Sequence, residues 1–76
     1  MKNYSLKGII LKIRTMLASL KGTEKKLAKY IIENAETILY QSLNEVALKS
    51  RVSEATIIRF SRKIGLKGFQ DLKLHL

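Results

Sequence analysis

Apolar residues recur at helical spacing along most of the chain, and the gaps between these runs carry residues suited to caps and turns. In the first run, Leu6, Ile9, Ile10, Ile13, Met16, Leu17 and Leu20 form one stripe, with Lys7, Lys12 and Arg14 on other faces. Residues 1–5 read as a lead-in, Gly8 lowers helix propensity near the start, and Lys21-Gly22 ends the run. A second helix is predicted from Thr23, with Leu27, Ala28, Ile31 and Ile32 inward and Lys25, Lys26 and Lys29 in water. Tyr30 suits a half-buried packing position; phosphate contact through its hydroxyl is the other reading. Asn34-Ala35 breaks the pattern, and residues 36–40 are predicted as a short separate helix whose Ile38 and Leu39 cover the underside of a helical hairpin.

That hairpin spans residues 42–65, which read as two short helices joined by a tight turn. Ser42 stands three residues before Glu45, the reciprocal pairing that satisfies two orphan amides at a helix start. Ser53 is placed to cap the second helix, with Glu54 in its first turn where a negative charge meets the positive end of the dipole. Gly65 closes it, because glycine enters the left-handed conformation at little cost. Val46, Ala47 and Ser50 face inward from the first helix, Ile57, Phe60 and Ile64 from the second, and Val52 plugs the turn. The small Ala47 allows the close approach that two helices so joined require. Beyond Gly68, which allows a turn, Phe69, Leu72 and Leu76 make the apolar side of a last helix. The pattern runs to the end with no stop signal, as expected of the first part of a longer protein. The fold class is therefore all-α: a small bundle of about five helices containing a helix-turn-helix.

Opposite Ile57, Phe60 and Ile64, the second hairpin helix presents Ala55, Arg59 and Arg62, flanked by Thr56, Ile58 and Lys63. A solvated corner of any helical bundle can look like this. The combination of small residue, turn and three core positions favours the arrangement whose second helix enters the major groove of DNA.

Composition sharpens that choice. A chain of 76 residues makes one domain, and 46% hydrophobic residues supply a core. At this size about 60 to 65 per cent of the unfolded surface is buried, so stability needs efficient helix packing or an oligomer partner. The absence of cysteine excludes disulfides and thiolate metal sites and suits a reducing cytoplasm. No apolar run has the length of a membrane span, and the N-terminus lacks a secretory pattern. Fifteen basic and six acidic residues give a net charge of +9, which favours a polyanionic partner. Between Lys49 and Lys67 lie Lys49, Arg51, Arg59, Arg62, Lys63 and Lys67 against the single acid Glu54, so the excess gathers at the hairpin.

Catalytic patterns are missing. The one histidine, His75, has no carboxylate or serine arranged around it, and Gly65 and Gly68 follow a helix instead of joining a strand to one. No enzyme, cofactor or metal is expected. The basic first helix offers another class of function, a protein-interaction or membrane-surface module. It carries no tryptophan or phenylalanine to anchor at an interface, so packing or dimer contact is the preferred role and no membrane partner is expected.

The expected mechanism is sequence-specific binding of double-stranded DNA by residues 54–64. Arg59 and Arg62 are the candidates for base edges, and Ala55 or Ile58 for a thymine methyl. Ser53, Thr56, Lys63 and Lys67 suit phosphates, Glu54 sits in the reading helix's first turn, and Ser42 with the amides behind it offers an anion site. One such helix spans only a few base pairs, so a homodimer is expected.

Ala47, the run Val52-Ser53-Glu54-Ala55-Thr56-Ile57, Arg59-Phe60, and Lys63-Ile64-Gly65-Leu66-Lys67-Gly68-Phe69 through Leu72-Lys73 resemble the N-terminal domain of the RpiR family of bacterial transcription regulators. The upstream run from Thr23 to Asn34 is similar to the same family's second helix. The Gly-Leu-Lys-Gly-Phe segment makes the resemblance specific, since helix-turn-helix proteins in general lack it. The resemblance implies a DNA-binding domain preceding a sugar-isomerase-like domain, absent from this chain, that binds a phosphorylated sugar effector; control of sugar or phosphosugar genes is implied with it. Two positions depart from the family pattern: Arg51, where this turn often has glycine, and Ala35, where many relatives have proline. An arginine at positive φ carries a penalty on the order of 1 kcal/mol.

Overall fold

The computed structural model describes residues 8–76 and is all-α over them. The helices are α1 (Gly8–Met16), α2 (Gly22–Ile38), α3 (Leu43–Ser50), α4 (Glu54–Lys63) and α5 (Phe69–Leu74). A single 3-10 turn, Leu17–Ser19, follows α1 and tightens its end. Leu6 and residues 1–5 lie outside the described residues.

The stripe of α1 points into the protein through Ile9 and Ile13, while Ile10, Met16 and Leu17 pack at its margin. Leu20, in extended conformation beyond the 3-10 turn, is also buried. In α2, Leu27, Ala28 and Ile31 are buried as predicted; Ile32 is only half-buried. Lys25 is half-buried as well, against the expectation that it stays in water. Tyr30 is half-buried, packs against the core and donates its hydroxyl to Gln41 Oε1 at 3.0 Å, consistent with the packing role.

The break at Asn34 is a kink within α2. Asn34 has φ −129° and ψ 26°, outside the helical region, and its side-chain amide donates to the Tyr30 carbonyl at 3.0 Å. Helical backbone stands on both sides of this kink, so the predicted break and the short helix after it are present, but that second helical segment ends at Ile38, with residues 39–40 in the turn beyond it. Ile38 is fully buried, but Leu39 is 40% exposed and does not cover the hairpin. With the chain turning just after Ile38, consecutive side chains point to different sides, and only one of the two reaches the core.

α2 contacts α1, α3 and α4, which makes it the central post of the fold. Phe60, Ile13, Leu27, Ile31, Ile38, Ile57, Ile64 and Leu72 are the fold's largest enclosed apolar side chains. Burial of each is worth about 1.5 to 3 kcal/mol, so this cluster outweighs any single polar link. On α5, Phe69 and Leu72 are buried, and so is the terminal Leu76.

Candidate nucleic-acid interface

Both hairpin helices are set by local chemistry. Ser42 Oγ accepts from the Glu45 amide at 3.1 Å, and the Ser42 amide donates to Glu45 Oε1 at 2.8 Å, completing the reciprocal cap of α3. Ser53 Oγ accepts from the Thr56 amide at 3.0 Å and caps α4. Between them, Arg51 takes the left-handed conformation at φ 62°, and the Val52 amide reaches back to the Ala47 carbonyl at 3.1 Å. Val52 is buried and plugs the turn.

Small side chains are buried on both hairpin helices. Ala47 and Ser50 from α3 are buried, together with Ser61 from α4, and both serines return their hydroxyls to carbonyls four residues back. Neither serine hydroxyl is left unsatisfied, and the helices can approach closely.

The C-terminal end of α4 is closed by its own chain and by a distant residue. The Gly65 amide bonds the Arg62 carbonyl at 3.0 Å and the Leu66 amide bonds the Ser61 carbonyl at 2.9 Å, with Gly65 at φ 99°. This paired closure requires the left-handed glycine. One further carbonyl, that of Ile64, accepts from Lys12 Nζ at 2.9 Å. The α1 ammonium thus lies at the negative end of the α4 dipole.

With its ends fixed, α4 divides by face. Ile57 and Phe60 are fully buried, while Ala55, Arg59, Arg62 and Lys63 are exposed and Ile58 is half-buried. Arg59 Nη2 donates to Thr56 Oγ1 at 3.4 Å and Arg62 Nε to the Lys67 carbonyl at 3.3 Å; neither arginine pairs with a carboxylate among the described residues. Lys63 Nζ, in contrast, meets Glu24 Oε1 of α2 at 2.9 Å. Glu54 accepts from Asn44 Nδ2 at 3.4 Å, linking the first turns of the two hairpin helices. Lys67 is exposed, and its amide donates to Asp71 Oδ2 at 2.8 Å, which ties the start of α5 to the loop after α4.

Thr56 is the candidate whose surroundings differ most from its expected role. It is 7% exposed, and its hydroxyl lies 2.8 Å from Ser53 Oγ and within reach of Arg59. Lys12 and Glu24, by contrast, carry no signal in the sequence that marks them as candidates. Their partners stand 52 and 39 residues away, and no local pattern announces them.

Residues 7–76 match the helix-turn-helix domain of the rpiR family. The HTH-type transcriptional regulator TTE0211 of Caldanaerobacter subterraneus subsp. tengcongensis is 52% identical over 64 residues, covering 84% of this chain and 23% of that protein. HexR of Escherichia coli K12 is 38% identical over 65 residues, covering 86% of this chain and 22% of its own. The chain therefore spans less than a quarter of the length of these relatives. Among solved structures, the N-terminal domain of ybbH from Bacillus subtilis superposes with a TM-score of 0.80 at 37% identity, covering 86% of this chain and 79% of that one. Vibrio vulnificus NanR, complexed with ManNAc-6P, gives 0.81 at 29% identity, over 86% of this chain and 25% of its own. A doubly capped helical corner, a left-handed closure on either side of α4 and a match over nearly the whole chain agree: the chain belongs to the rpiR family of helix-turn-helix domains.

Proposed function

We propose that this domain binds double-stranded DNA sequence-specifically as part of a bacterial transcription regulator, with α4 in the major groove. The observation that carries this reading is the division of α4: its apolar side is spent in the core, while Arg59 and Arg62 stand exposed with no acid to neutralise them among the described residues. An arginine that bonds both acceptors of a guanine edge discriminates against other bases by about 1 to 3 kcal/mol. Ala55 and Ile58 are small or apolar enough to meet a thymine methyl. Ser53, Lys67 and the α3 start at Ser42 supply backbone contacts, which fix register without reading sequence. Thr56 serves this surface from beneath, through its hydrogen bonds to Ser53 and Arg59.

One reading helix covers too few base pairs to be selective alone, so two copies acting on half-sites about one DNA turn apart complete the proposal. The genes controlled are those of sugar or phosphosugar metabolism, with a phosphosugar effector acting through a C-terminal domain. NanR, a structural relative, is complexed with ManNAc-6P, which supports an effector of this kind.

The test uses a duplex selected by the domain from a random pool, alongside a scrambled one. Arg59→Ala and Arg62→Ala should each weaken binding to the selected duplex by about 5- to 150-fold more than to the scrambled one. Equal losses on both duplexes would reduce these arginines to phosphate contacts.

A further inference from the structure

Lys63 lies one helical turn beyond Arg59, hence on the same side of α4 and beside the base-reading positions. Among the described residues it is the only lysine or arginine within ion-pair distance of an Asp or Glu side chain. Its partner Glu24 belongs to the first turn of α2, where the helix dipole already favours a negative charge. The pair bridges two helices at 2.9 Å, with side-chain exposures of 49% for Lys63 and 33% for Glu24. It is therefore formed at the surface, where a phosphate oxygen can compete for the same ammonium.

We propose that Glu24 is a positioning residue of the DNA interface that acts through Lys63: its carboxylate stands in for a backbone phosphate and lowers by one the number of phosphates the domain neutralises. This rests on the DNA-binding reading above. Its physical consequence concerns the sequence-independent part of affinity, since each cation delivered to the backbone releases counterions and steepens the dependence of binding on salt. Holding Lys63 back weakens binding to every duplex alike and leaves the preference set by Arg59 and Arg62 intact.

Glu24→Gln keeps a hydrogen-bonding side chain but removes the competing charge. Binding to scrambled and selected duplexes should be measured from 50 to 200 mM salt for wild type, Glu24→Gln, Lys63→Gln and the double variant, with circular dichroism confirming that each is folded. For Glu24→Gln, the slope of log affinity against log salt should steepen by about 0.9, which makes the affinity change over that range about 3.5-fold larger. The ratio between duplexes should stay the same, and the steepening should vanish when Lys63 is also glutamine. An unchanged slope, weaker binding, or equal steepening without Lys63 would overturn the role given to Glu24. Failure of the wild type to bind duplex DNA at all would overturn the DNA-binding reading with it.

Discussion

Arg51 is the only residue other than glycine with positive φ among the described residues, at 62°. Its side chain is exposed, so nothing in the packing compensates for the crowding of Cβ in the left-handed region. Arg51→Gly should raise stability by about 1 kcal/mol, seen as a higher urea midpoint with an unchanged m-value. A lower midpoint would mean that the arginine side chain makes a stabilising contact. This strain was legible in the sequence, because a two-helix corner needs a left-handed residue just there. The surroundings of Thr56 were not. A helical projection places it on the flank of the outward face, but cannot say how far the neighbouring helix and the Ser53 cap close over that flank. In the folded chain both the amide and the hydroxyl of Thr56 engage Ser53.

At the level of elements, the caps were readable because they are local. Ser42 with Glu45, Ser53 with the amide three residues on, and Gly65 with its paired backbone bonds all lie within a few residues of their partners. The break at Asn34 was legible, but the outer limit of the segment beyond it was harder, since the fate of Leu39 depends on where the chain turns next. The link from Lys12 to the Ile64 carbonyl was invisible, being a consequence of how α1 folds back over 52 residues. Lys12→Met keeps much of the side chain's apolar length but removes the donor at the end of α4. Stability should fall by about 1 kcal/mol, measured by thermal or urea unfolding. No change would show that water replaces the ammonium at no cost. Leu17 lies in the 3-10 turn at the core margin, and Ile32 stands at the edge of the α2 stripe, one residue beyond the buried Ile31.

Across the whole molecule, a net charge of +9 is compatible with many polyanionic partners. Folding narrows that range: it spends the apolar faces of α1, α2 and α5 on a common core and leaves Arg59 and Arg62 exposed on a helix held at both ends. The division into buried and outward faces was legible from periodicity, as was the fold class. The selective pairing of Lys63 with Glu24 was not, because it depends on the relative placement of α2 and α4. The central claim, that α4 reads base edges in the major groove, is tested most directly at guanine N7, which lies in that groove. Dimethyl sulfate protection should be mapped on a selected duplex with wild type and with Arg59→Ala, each at saturating concentration. The account predicts N7 protection at discrete guanines in the wild-type complex and loss of protection at one of them in the variant; a footprint that leaves every N7 reactive, or that Arg59→Ala does not alter, would contradict it.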